Sequence, residues 1–134
     1  MACLIYFHTD TSDDDVVSQL AELLGLERDA ELAPWALESP AFYISVRRNE
    51  LAEEDRSFKF PDGFLHFPAY VEFSASDDVA EEEAAQTIGH ILRYFWDRGI
   101  PAVAECSFDE ALPLGGGYGR SELPWPRATE EADS

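Results

Sequence analysis

Three histidines, His8, His66 and His90, are the side chains best suited to move a proton or hold a metal ion. No two of them stand at His-x-x-x-His spacing, so a metal site would need convergence from separate elements with carboxylates. His8 with Asp10 is the best nucleus for one. Acid runs are frequent: Asp13–Asp15, Glu53–Asp55, Asp77-Asp78, Glu81–Glu83 and Asp109-Glu110. None spaces oxygen ligands along a roughly twelve-residue calcium loop with an internal glycine and a closing glutamate. The sequence therefore leads us to expect no metal and no cofactor. It contains no Gly-x-Ser-x-Gly elbow. Ser107, with Glu105 and His8 brought in from a neighbouring strand, is the remaining catalytic combination. No catalytic residue is assigned.

Gly115-Gly116-Gly117-Tyr118-Gly119 is the most unusual local composition. Such a loop cradles phosphate when it leads into a helix and has a lysine or arginine beside it. Here Arg120 and then Pro124 follow, with neither a Walker lysine nor dinucleotide spacing. Two readings stand: a ligand loop made of Gly115, Gly116, Gly117, Tyr118 and Gly119, or a turn that folds the C-terminal segment back with Tyr118 and Trp125 as anchors. Cys3 and Cys106 each lie in an apolar run, and their number and spacing make neither a disulfide framework nor a zinc motif. They read as buried free thiols of a reducing compartment, with a disulfide open if their strands are neighbours.

The elements that must position these residues follow from periodicity. Ala2–His8 is apolar on both faces, as a strand inside a sheet is. Thr9–Asp15 supplies capping oxygens and negative charge for a helix carrying the stripe Val16, Leu20, Leu23 and Leu24, with Val17 flanking, and stopping near Gly25. Residues 27–40 are less regular, with Trp35 and Leu37 pinning them to the core. Ala41–Arg48 alternates as a half-buried strand. The polar connection Asn49–Gly63 is longer than a hairpin needs, which makes it a candidate functional loop. Phe64–Ser76 reads as a third strand, with either a bulge at Pro68 or regular pairing only from Ala69 onward. Ser76-Asp77-Asp78 caps a second helix with the face Ala84, Ile88, Ile91, Leu92 and Phe95, ending at Gly99. Ala102–Phe108 is a fourth strand.

The order strand–helix–strand–strand–helix–strand predicts an α+β fold, the ferredoxin-like βαββαβ sandwich. It would have a four-stranded antiparallel sheet, two helices on one face and an extended C-terminal segment. Its first and third strands would be central, which puts Cys3 and Cys106 on adjacent strands. One domain spans 1–128 and a flexible acidic tail 129–134.

The 134 residues carry 28 Asp plus Glu against 9 Lys plus Arg, a net charge of −19. That excess argues against nucleic acid and anionic membranes, which are bound through lysine and arginine. It favours a basic protein partner. At 46% hydrophobic the chain can build a core, so the acidity does not signal disorder. Met1–Asp10 lacks a basic leader and no run reaches transmembrane length, so a cytoplasmic location is expected. In bulk properties only, the chain resembles small acidic bacterial immunity proteins. That resemblance implies a non-catalytic inhibitor that neutralises a basic partner such as a toxin or nuclease. Partner contacts would fall on Glu53, Glu54, Asp55, Glu81, Glu82 and Glu83, with Tyr43, Tyr70 and Trp96, which lie off the expected buried faces as Tyr94 does. The alternative is a small-molecule-binding or regulatory domain acting as a homodimer.

Overall fold

The computed structural model describes residues 2–26, 36–39 and 41–126. Its principal elements are β1 (Ala2–Phe7), α1 (Asp13–Leu24), β2 (Ala36–Glu38), β3 (Phe42–Arg48), α2 (Glu54–Ser57), β4 (Ala69–Ala75), α3 (Glu81–Asp97) and β5 (Ala102–Cys106). The chain is a mixed α/β protein with a five-stranded antiparallel sheet in the order β2-β3-β4-β1-β5.

Alternation along the strands sets the two faces of the sheet. Cys3, Ile5 and Phe7 of β1 and Val71 and Phe73 of β4 are buried on one face. Val16, Val17 and Leu20 of α1 and Ile88, Ile91, Leu92 and Phe95 of α3 join them in one core. Phe7 stacks on Phe95 with ring centroids 4.8 Å apart. The opposite face carries Tyr43, Tyr70, Glu72, Tyr6 and Glu105. Near Tyr6 a second, smaller cluster of Phe64, Phe67 and Val103 packs with Trp125.

The helix ends follow local chemistry. The Ser12 hydroxyl accepts from the Asp15 N–H (3.2 Å), and α1 stops at Gly25. The sequence places Ser76–Asp78 as the cap of the second long helix. Instead α3 begins at Glu81 after Ala80, with no side-chain cap, and its first-turn glutamates meet the helix dipole. The stripe of α1 is also shifted: Leu23 is 39% exposed, while Ala21 is buried beside Val16, Val17 and Leu20.

Three sequence expectations need correction. Among the described residues the sheet has five strands, because Ala36–Glu38, irregular to the eye in its proline-rich context, pairs with β3 as an edge strand. A third, one-turn helix, α2, lies between β3 and β4. The cysteines are not free thiols. Cys3 and Cys106 are directly opposed across β1 and β5 with their Cα atoms 4.6 Å apart, the closely spaced kind of antiparallel pair, and they form a disulfide. Pro68 acts as expected, since β4 starts at Ala69 and residues before it form a 3-10 turn over Asp62–His66. Leu37 is buried, whereas Trp35 and the tail 129–134 fall outside the described residues.

Candidate functional site

The connection from Asn49 to Pro68 builds the most distinctive surface. Asn49 organises it. Its amide donates to the carbonyls of Leu65 (2.9 Å) and Phe67 (2.8 Å), and its carbonyl oxygen accepts from the Leu51 N–H (3.0 Å). The last of these is the Asx turn that asparagine favours. The Leu51 carbonyl in turn accepts from Nδ1 of His66 (2.8 Å), which leaves Nε2 as the acceptor of the neutral ring. The Glu53 N–H closes the loop on the His66 carbonyl (3.1 Å). Leu51 sits inside this bonded frame with 69% of its surface exposed, the most exposed of the large hydrophobic residues among those described.

Asn49→Ala removes three hydrogen bonds and should destabilise the protein by about 2 kcal/mol. Urea denaturation tests this. Hydrogen exchange should also accelerate at Leu51 and Glu53, and unchanged exchange there would mean that the loop is held by other contacts.

Ala52, which follows Leu51, lines a cleft of about 500 Å³ together with His8, Asp10, Arg48, Glu53, Glu54 and His66, among others, whereas Leu51 itself faces a separate pocket with Tyr6 and Tyr70. His8 arrives from the end of β1, with its ring edge-on to Phe67 (5.7 Å between centroids). Glu53 and Glu54 arrive on the start of α2. Arg48 is engaged by Asp13 (3.0 Å) and Arg56 by Glu53 (3.2 Å), both exposed pairs of small energetic weight. Asp10, Glu50, Glu54 and Asp55 make no ion pair among the described residues. His8 and Asp10, the best metal nucleus in the sequence, do share this cleft. Among the described residues, however, no group of three or more His, Cys, Asp or Glu side chains could hold a metal ion.

The remaining sequence-predicted site residues do not gather in one place. Glu53, Glu54 and Asp55 follow β3 at the end of the sheet where β1 finishes. Glu81, Glu82 and Glu83 follow β4 at the opposite end, about 20 Å away for strands of this length. Tyr43 and Tyr70 are half-buried on the sheet face away from the long helices. Tyr70 packs on Tyr6 (5.8 Å), and burial, then Glu105 and Tyr70, push the Tyr6 phenol above the usual tyrosine range. Tyr94, expected off the buried face, is buried against the core, and Arg98 lies over its ring (3.7 Å). Ser107 and His8 are at opposite ends of the sheet, because Phe7 pairs with Ala102 and Cys3 with Cys106; the Ser107–Glu105–His8 combination does not form.

Trp96 and the glycine loop have a shared structural role. The indole N–H of Trp96 donates to the Ala102 carbonyl (3.0 Å) on the outer edge of β5. The turn Pro113–Gly117 then covers that edge. A Cβ on Gly116 would lie 2.9 Å from the Ala104 carbonyl oxygen, and one on Gly117 2.9 Å from the Trp96 ring and 3.1 Å from the Ala102 oxygen. Both residues have positive φ (84° and 93°), which L side chains rarely adopt. The loop thus screens an edge strand that would otherwise offer unpaired backbone groups. Beyond it the chain folds back. Tyr118 donates to the Asp62 carboxylate (2.6 Å), a bond that raises the phenol's pKa, and Trp125 donates to the Phe58 carbonyl (2.9 Å).

Leu51 and Arg48 were not among the sequence candidates. The one signal for them was the Asn49-Glu50-Leu51 turn inside an over-long connection; nothing local distinguishes an exposed leucine from a buried one. No family model, curated protein or solved structure matches the chain.

Proposed function

We propose that the protein is a non-catalytic acidic binding protein that inhibits a basic partner protein, in the manner of an immunity protein. The observation that carries this reading is the end of the sheet around Leu51. Glu50, Glu54 and Asp55 stand there without a paired cation among the described residues, on a connection fixed by the hydrogen bonds of Asn49 and His66, and Asp10 lines the adjoining cleft, also without one. Carboxylates presented on a rigid surface lose little conformational entropy on binding, and the net charge of −19 accelerates encounter with a cationic protein. The same charge opposes pairing of two identical copies, which weighs against the homodimer alternative.

We also read the strand order as the ferredoxin-like arrangement with β2 added at one edge. Removing the three-residue β2 from the order leaves β1 and β4 central, and the two long helices follow β1 and β4 in the chain. This fold hosts many functions and carries none of the binding argument.

The test is capture on the immobilised protein from lysate of the cells that encode it, at low and then at high salt. A single basic protein retained in near-stoichiometric amount and released by salt supports the reading. Retention of no basic protein overturns it. A cytoplasmic location is part of the proposal, although disulfides persist mainly in oxidising compartments. Among the described residues no helix is long and apolar enough to cross a membrane. Acid-quenched alkylation of Cys3 and Cys106 in cells decides the compartment: two alkylated thiols support the cytoplasm, and an intact disulfide an oxidising compartment.

A further inference from the structure

We propose that the Cys3–Cys106 disulfide is a redox-sensitive clasp on the edge strand β5, opened in the folded protein by attack of an external thiolate on the sulfur of Cys106. The inference stands apart from the binding-protein reading. The two sulfurs are not equivalent. Cys3 is buried (2% exposed) in the main core, on β1 between Cys106 of β5 and Phe73 of β4. Cys106 is half-buried, with exposed Glu105 and Ser107 on either side of it in the chain. It is also the last residue of β5, and β5 has β1 as its sole strand neighbour among the described residues. The glycine turn that covers the outer edge of β5 lies against Ala102 and Ala104, toward the other end of the strand. A thiolate therefore reaches Sγ of Cys106 from the sheet edge, whereas Sγ of Cys3 is enclosed by the core.

The reductant is a thiol, and the exchange balances. The attacking thiolate forms a bond to Sγ of Cys106, and the Cys3–Cys106 bond breaks with its electron pair passing to Cys3. Cys3 then takes up a proton. A second external thiolate attacks the added sulfur, the two external sulfurs leave as a disulfide, and Cys106 is released and protonated. The protein disulfide is reduced and two external thiols are oxidised. Once protonated, a buried thiol attacks slowly, so the intermediate carrying the external sulfur on Cys106 lasts long enough to trap. Opening the clasp loosens only one end of the strand. Beyond it Phe108 and Leu112 are buried in the main core, and Trp96 holds the Ala102 carbonyl at the other end. In a cytoplasm, where the disulfides that occur are mostly transient or redox-sensing, such a bond reports on the thiol pool.

The test gives the intact, oxidised protein a short pulse of cysteamine in native buffer, quenches it in acid, alkylates with N-ethylmaleimide and maps the peptides. Cysteamine is cationic, so the acidic surface does not repel it. Cysteamine should be found on Cys106 and maleimide on Cys3, with the reverse pair roughly tenfold rarer. The rate should rise in proportion to cysteamine and should be the same in Asn49→Ala, whose lost hydrogen bonds lie at the far end of the sheet. Were the bond to open only on global unfolding, that variant would react about thirtyfold faster, in step with its larger unfolded population. Cysteamine on Cys3, an even split between the two sulfurs, a rate that follows the stability of Asn49→Ala, or no adduct in native buffer overturns the proposal. Capture of a basic partner, or its failure, leaves this result untouched, so the clasp and the binding reading stand or fall separately.

Discussion

Reducing the Cys3–Cys106 disulfide is expected to lower the unfolding free energy by about 4 kcal/mol. The bond joins residues 103 apart in sequence, so it closes a loop containing most of the chain. Such closure restricts the unfolded ensemble, and the chain-entropy account gives roughly 4–5 kcal/mol for a loop of this size. The native state adds a local reason. Among the described residues the edge strand β5 has β1 as its sole strand neighbour, and the disulfide ties β5 to β1 at the end farthest from Ala102. Thermal unfolding with and without a phosphine reductant should show Tm falling by about 10–15 °C on reduction. A Cys3→Ala, Cys106→Ala double variant should start near the reduced value and ignore the reductant. An unchanged Tm, with alkylation confirming two free thiols, would show that the sheet closes equally well without the bond.

Gly117→Ala is expected to cost about 3 kcal/mol. Two effects add at this position. The backbone φ of +93° is unfavourable for any residue with a side chain, by about 1–2 kcal/mol. A Cβ there would also press on the Trp96 ring at 2.9 Å and the Ala102 oxygen at 3.1 Å, and the second is sheet backbone that cannot easily yield. Gly115 separates the two effects: its φ is +64° and nothing lies within 4 Å of where its Cβ would stand, so Gly115→Ala should lose only the backbone share, about 1 kcal/mol. Urea denaturation compares them directly, and tryptophan fluorescence should shift for Gly117→Ala as Trp96 is displaced. Equal losses at the two positions would show that close approach to β5 contributes nothing.

The contrast between the two glycines explains why this loop admits two readings when read as residues in a row, of which the turn anchored by Tyr118 and Trp125 is the one seen. A run of glycines signals unusual backbone conformation, and four of the five positions from Gly115 to Gly119 do have positive φ. Whether that conformation serves a ligand or the protein's own edge depends on what lies against it. Here Ala102 and Ala104 lie against it. Trp96 follows the same logic. Helical periodicity places it off the buried stripe, yet the short turn after α3 brings the Ala102 carbonyl within reach of its indole N–H.

Much of the scaffold was legible because its signals are local. The alternation of β1, β3 and β4, the hydroxyl of Ser12 before α1, the stop at Gly25 and the proline that delays β4 until Ala69 each act over a few residues. Even the neighbouring positions of Cys3 and Cys106 followed from element order, because antiparallel sheets of this connectivity allow few strand arrangements. The acidity likewise argued against nucleic-acid and membrane partners, as expectations, without any coordinates. The short strand β2 was not legible: three residues are too few for periodicity, and they owe their pairing to β3.

The sequence by itself therefore determined most of the elements, their order and the sign of the surface, since propensity, capping and charge are properties of neighbouring residues. Only the tertiary structure decided which acid run stands with which histidine. Glu53 and Glu81 look alike in sequence, but one stands beside His8 and His66 and the other at the far end of the sheet. Convergence of residues 8, 10, 53 and 66 depends on strand pairing and on the hydrogen bonds of Asn49, and these long-range contacts leave no periodic trace in the chain.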